Sequence, residues 1–196
     1  MSALPETLFD LTGKVALITG STKGIGKAIA EQMALYGARV VISSRKPGPC
    51  EDVAAAINAK HGAGTAIACP ANISSRDDLQ RLVNETNAAF GKIDILVCNA
   101  ASNPYYGPMS GITDEAFAKI LSNNIISNNT LTTLVAPQMI ERRDGVVIII
   151  SSIGGLRGST VIGAYCVSKA ADVQLARNLA AELGPHNIRV NCISPG

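Results

Sequence analysis

Residues 14–26 read KVALITGSTKGIG, an aliphatic, β-branched run that breaks into glycines and then opens a helical pattern. Residues 14–19 have the composition of a strand buried on both faces, and residues 24–36 place Ile25, Ile29 and Met33 on one face of a helix. Between them, Gly20, Gly24 and Gly26 let the backbone turn sharply and approach a ligand closely. The free N–H groups that open the helix favour an anion such as a pyrophosphate. The spacing is G-x-x-x-G-x-G rather than G-x-G-x-x-G, and the turn by itself also fits a glycine-rich strand-to-helix connection without a ligand.

The same alternation continues outward. Further strands are expected at 39–43, 65–69, 93–98, 145–151 and 188–193, and helices at 51–61, 75–90, 114 to about 140, and 162–183, with Ser74 or Ser75 as an N-cap. Strands this apolar on both faces and separated by helices imply a parallel sheet covered on both sides. No repeat or low-complexity linker interrupts the series. The reading is therefore α/β, with residues 1–196 forming a single dinucleotide-binding domain built on a doubly wound Rossmann-type sheet.

Composition removes other classes. The 196 residues are 47% hydrophobic and 16% charged, enough apolar surface to build a core and too few charges for a disordered chain. A net charge of +2 leaves no field for nucleic acid or an anionic membrane, and the longest aliphatic run, 146–150, is too short to span a bilayer. The first residues, MSALPETLFD, carry acids and a proline where a signal peptide has a basic start and an apolar run. Five widely spaced cysteines without a C-x-x-C pair read as free thiols in a reducing compartment, so no metal site and a cytoplasmic location are expected.

The second expected strand ends in Ser43-Ser44-Arg45-Lys46. An acid there would suit the ribose 2′-hydroxyl of NAD, whereas a cation suits the 2′-phosphate of NADP. Arg45 can make a forked phosphate contact and Lys23 can reach the same group as a point charge, so NADP is preferred, with NAD the lesser alternative. Arg45 and Lys46 also fit as ordinary solvated loop charges. Tyr165 and Lys169 stand at i and i+4 on one helical face, where a cation beside a phenol lowers its pKa and makes it a usable acid. Four tyrosines in the chain make this a spacing that chance also supplies. Ser152, just past the fifth strand, falls at the carboxyl edge of the sheet, where such folds bind ligands; a turn cap is its other reading.

Taken in order, TGSTKGIG at 19–26, CNAA at 98–101, Asn124, Ser152, Tyr165-x-x-x-Lys169 and IRVNCISPG at 188–196 resemble the short-chain dehydrogenase/reductase family over essentially the whole chain. The loops SSRK, Asn103 to Pro108 and IIISSIGGLRGS are similar to its NADP-dependent retinol dehydrogenase/carbonyl reductase branch. The resemblance implies strand order 3-2-1-4-5-6 and a catalytic set of Asn124, Ser152, Tyr165 and Lys169. In it Tyr165 donates the proton, Lys169 tunes it and bonds the nicotinamide ribose, Ser152 orients the carbonyl, and Asn124 holds a water linking Lys169 to solvent. It also implies cofactor contacts from Gly20, Ser21, Thr22, Lys23, Gly24, Ile25, Gly26, Ser44, Arg45, Asn72, Asn99, Tyr165, Lys169, Pro195 and Gly196. Tyr105, Tyr106, Leu156 and Ser152 would contact an apolar carbonyl or alcohol substrate, flanked by Met109 and Ile162.

Three positions depart from the family pattern: Ala101 replaces a glycine, Asn72 an adenine-binding aspartate, and Ile149 an asparagine. The sequence also stops at Pro195-Gly196, where relatives continue into a substrate lid and a seventh strand, which leaves the sixth strand as an open edge. A cofactor-binding fragment or regulatory relative without turnover is thus the alternative to an NADP(H)-dependent oxidoreductase. The family habit is a homotetramer that pairs the helices at 114–140 and 162–183, and a dimer is the expectation for this length.

Overall fold

Alternate residues of the central strands feed two different apolar layers, which is why these strands have no polar face. The computed structural model describes residues 9–196, so the opening residues that argue against a signal peptide lie largely outside it. Six strands, β1 (Val15–Thr19), β2 (Arg39–Ser43), β3 (Ala66–Ala68), β4 (Ile95–Cys98), β5 (Gly145–Ile150) and β6 (Ile188–Ile193), form one parallel sheet ordered β3-β2-β1-β4-β5-β6. They alternate with α1 (Gly24–Leu35), α2 (Pro47–His61), α3 (Arg76–Phe90), α4 (Asp114–Leu121), α5 (Ser127–Arg142) and α6 (Gly163–Leu183). Ala16 and Ile18 pack with Ala30 of α1 and Val53 and Ile57 of α2, whereas Leu17 joins Leu82 of α3, Val135 of α5 and Leu179 of α6. Each such fully buried aliphatic side chain contributes about 1.5–3 kcal/mol, so both layers are needed to hold the sheet.

The chain runs from β1 outward to β3 and then returns to β4 on the other side of β1. The loops leaving β1 and β4 therefore diverge, and a crevice opens between them at the carboxyl ends of the strands.

Element boundaries differ most from the sequence reading at the start of α2 and after α4, and the structure selects between the two N-cap candidates of α3. α2 starts at Pro47 rather than at residue 51, because Pro47 and Pro49 sit in a first turn that has no use for their missing N–H groups. Ser75 is the N-cap of α3, accepting from Asp78 N at 3.2 Å. The long helix expected from 114 is divided by a π-helical segment, Ser122–Ile126, between α4 and α5. Two successive asparagines in it, Asn123 and Asn124, are buried.

Candidate active site

The crevice at the switch between β1 and β4 has a volume of about 620 Å³ and is walled by the glycine turn, the end of β2, the loop after β3 and the loop after β4. Gly20 and Gly24 have positive φ angles of 66° and 54°, conformations that favour glycine over any residue with a Cβ. A Cβ on Gly26 would run into the Gly20 carbonyl oxygen and Asn99 Nδ2. Asn99 explains that closeness: its Nδ2 donates to Thr19 O at 2.9 Å and Gly20 O at 3.2 Å, pinning the turn to the end of β4. Thr19 Oγ1 in turn accepts from the backbone N–H groups of Asn99 and Ala100. No side chain caps α1 and no acid stands in its first turn, so its amino terminus faces the crevice as an anion site.

Most of the expected cofactor residues meet here. Thr22, Lys23, Ile25, Ser44, Arg45, Asn72 and Asn99 all line the crevice beside the glycines. Ser21 does not: it is fully buried, donating from Oγ to Ile18 O at 2.7 Å and accepting from Ser43 N at 2.9 Å, so it ties the turn to β2 from beneath. The Asn72 side-chain oxygen accepts from Ser74 N at 3.2 Å, and its amide group lines the wall. Ala101, Ser102, Asn123 and Lys119 also line it, and the sequence carried no signal for Lys119, a lone cation on α4. Pro195 and Gly196 lie beside the Ser152 turn, where Pro195 O accepts from Ile153 N at 2.9 Å.

The catalytic candidates come together where β5 ends and α6 begins. Ser152 leaves β5 and accepts from Gly154 N at 3.0 Å, so it caps its own turn while its hydroxyl stays a hydrogen-bonding neighbour of the Tyr165 phenol. Gly155 is required in that turn, since a Cβ there would lie 2.7 Å from the Lys169 backbone. Lys169 is 2% exposed, and its ammonium lies 5.6 Å from the Tyr165 ring centre. It donates to Ile150 O at 2.7 Å and to Asp172 Oδ2 at 2.9 Å.

For Tyr165 the direction is opposite to the expectation. The phenol is held above its ordinary pKa, first by burial and further by the Asp172 and Tyr106 charges, while the Ser152 hydroxyl works the other way. Asp172 is itself pushed upward by burial, against the pull of Lys169 and Asn128. Asn124 is held by direct protein contacts. Its side chain donates to Ser102 O and Ser168 Oγ, both at 3.0 Å, and accepts from Ser102 N at 2.8 Å, clamping the loop after β4 to α6. From its backbone oxygen a run of direct protein contacts leads to Lys169: Asn128 Nδ2 donates to Asn124 O at 2.6 Å and to Asp172 Oδ1 at 3.0 Å, and Asp172 meets Lys169. Asp172 and Asn128 were not singled out from sequence. Their signal was a carboxylate on the buried stripe that continues through Ala176, Leu179 and Leu183.

The loop after β4 lies against the start of α6, with Gly107 N donating to Val161 O at 2.8 Å and a Gly107–Ile162 bridge. Tyr105 folds back on its own loop, its hydroxyl donating to Pro108 O at 2.8 Å. Tyr106 and Leu156 are 71% and 68% exposed. The five thiols are free, and burial pushes Cys98 and Cys69 up to about 12, so neither is a nucleophile at neutral pH. A second depression of about 790 Å³ lies at the opposite, amino ends of the strands and includes His61, but among the described residues it brings no acid–base pair together. Among the described residues no helix is long and apolar enough to cross a membrane.

A family profile described as short chain dehydrogenase matches residues 14–196. The chain is 44% identical over 186 residues to the rabbit (Oryctolagus cuniculus) protein named dehydrogenase/reductase SDR family member 4, an overlap of 95% of this chain and 71% of that one. It is 42% identical to the rat (Rattus norvegicus) protein of that name, of which it spans 66%. Among solved structures, a 7α-hydroxysteroid dehydrogenase complexed with NADH and 7-oxo glycochenodeoxycholic acid superposes with a TM-score of 0.91 at 37% identity, covering 96% of this chain and 72% of that one. L-sorbose reductase from Gluconobacter frateurii, complexed with NADPH and L-sorbose, superposes with a TM-score of 0.91 at 31% identity, covering 96% and 71%.

Proposed function

The chain belongs to the short chain dehydrogenase family, and from that premise we propose that it is an NADP(H)-dependent oxidoreductase interconverting an apolar carbonyl and its alcohol, with Tyr165 as the acid–base group. The observation that carries this reading is the meeting of Ser152, Tyr165 and Lys169 at the carboxyl edge of the sheet that also bears the glycine-lined crevice. The crevice fits a dinucleotide: its glycines leave room for a backbone-to-pyrophosphate approach, and α1 offers uncapped N–H groups.

A nicotinamide dinucleotide bound there supplies or accepts the hydride. The protein's part is proton transfer and positioning. Tyr165 gives its phenolic proton to the carbonyl oxygen in reduction and takes it back in oxidation, while the Ser152 hydroxyl hydrogen-bonds that oxygen as its charge develops. Lys169 holds a fixed positive charge under the Tyr165 ring, and Asn124 keeps the loop after β4 registered against α6. Tyr106, Met109, Leu156 and Val161 are exposed apolar or aromatic side chains on the two loops joined by the Gly107–Ile162 bridge, which supports an apolar substrate.

Preference for NADPH rests on Arg45 and Lys23 in the crevice wall, where no acid is present at the end of β2. Replacing Arg45 with Ala removes a charge-assisted contact worth about 1.5–3 kcal/mol, so NADPH affinity should fall about 10- to 100-fold while NADH affinity changes little. Fluorescence titration with both cofactors checks this, and equal losses for the two would count against the assignment.

The sign of the pH dependence follows from the raised Tyr165 pKa. Reduction needs the protonated phenol, so kcat/KM for a carbonyl should be level through neutral pH and fall only in alkaline solution. Oxidation needs the phenolate, so it should climb with pH through the same midpoint. Matched initial-rate profiles in the two directions test this, and a reduction rate that declines on passing from acid to neutral pH would contradict it.

A further inference from the structure

Lys169 and Asp172 are 2% and 0% exposed and their charged atoms are 2.9 Å apart, a pair shut inside the sheet–helix interface. Stability does not explain such a pair. Removing two charges from water costs several kcal/mol per ion, and apolar residues of the same size commonly hold a fold as well or better. The carboxylate is also fully engaged. One oxygen accepts from Lys169 and the other from Asn128, both of which only donate through these atoms, so the arrangement is built for the ionised form. Lys169 has three N–H bonds, of which Ile150 O and Asp172 take two, leaving one without a protein acceptor among the described residues.

We propose that Asp172 is a positioning residue, a buried counter-ion that, braced by Asn128, fixes the Lys169 ammonium beneath the Tyr165 ring and offsets its field there. The proposal rests on the reading of Tyr165 and Lys169 as acid–base machinery and adds a group to it. Without Asp172 the ammonium would act on the phenol unopposed and pull its proton off at lower pH. With Asp172 the phenol stays an acid through neutral pH, which suits carbonyl reduction. The groups facing Asp172 are Lys169 and Tyr165 on α6, Asn128 on α5, Cys98 on β4 and Cys192 on β6. Burial raises both thiols, so among these groups Lys169 is the one that carries an opposing charge at neutral pH.

The chain has four tyrosines and no tryptophan, so its near-ultraviolet phenolate absorbance is not obscured. Alkaline titration of the full chain and of Asp172→Asn, each corrected by its Tyr165→Phe counterpart, isolates Tyr165. The expected result is a fall of the Tyr165 midpoint by about one unit in Asp172→Asn, with the reduction pH profile moving the same way. An unmoved midpoint in a folded Asp172→Asn protein overturns the proposal. This outcome is distinct from failure of the catalytic reading, which would show instead as turnover surviving Tyr165→Phe. Should Asp172→Asn not fold, the unsubstituted protein decides. A slowly exchanging Lys169 ammonium coupled across a hydrogen bond to the Asp172 carboxylate carbon in a nitrogen-edited NMR spectrum supports the pair, and a rapidly exchanging, uncoupled amine overturns it.

Discussion

Tyr165→Phe is expected to lower kcat about 1,000-fold while leaving the affinity for NADPH within about threefold, because the ring stays in place and only the transferable proton is lost. The ring is half-buried, and Lys169 lies 5.6 Å from its centre whether or not the hydroxyl is present. Removing the hydroxyl also leaves the α6 backbone and the Lys169–Asp172 pair intact, so the thermal midpoint should hardly change. A kcat reduced less than tenfold would remove Tyr165 from the mechanism. Cofactor binding without turnover in the unsubstituted chain would instead favour the reading of a binding module.

Gly26→Ala is expected to have the opposite signature: NADPH affinity falls about 100-fold and stability falls by about 2–4 kcal/mol, seen as a lower urea midpoint. In an ordinary exposed helix the same change would stabilise by about 1 kcal/mol, because alanine is the better helix former. Here space reverses the sign. The added methyl would drive into the Gly20 carbonyl and the Asn99 amide, and Asn99 is the side chain that ties the glycine turn to β4. Gly24→Ala separates packing from backbone strain in the stability readout: nothing lies within 4 Å of a Cβ there, and only the φ of 54° opposes it, at a cost of about 1–2 kcal/mol. If Gly26→Ala bound NADPH as well as the unsubstituted chain, the close-packed glycine turn would not be the cofactor cradle.

The site was legible in the sequence wherever its logic is local. Tyr165 and Lys169 share a helix face because four residues make roughly one turn, and Gly20, Gly24 and Gly26 announce a turn because only glycine serves there. Ser21 was misjudged for a related reason. It stands within the glycine motif, but whether a side chain in a turn points to the ligand or to the interior depends on β2 beside it, and Ser43 N draws it inward. The π segment was invisible because one extra residue in a turn leaves no mark on an apolar period already mixed with asparagines.

The six-strand α/β architecture and the glycine turn follow from periodicities and spacings written along the chain, whereas the strand order and the grouping of Ser152, Tyr165 and Lys169 as a catalytic set came from the resemblance of ordered motifs to a family. What surrounds them came from packing: Asn124 clamps a loop to α6, Ser21 is withdrawn, and Lys169 is paired with Asp172, with Asn128 behind it. Asn128 and Asp172 are 44 residues apart, on different helices. No local spacing encodes their meeting, because it is set by how α5 and α6 pack on the same face of the sheet, and in that dry interior a single carboxylate decides how strongly a neighbouring cation is felt.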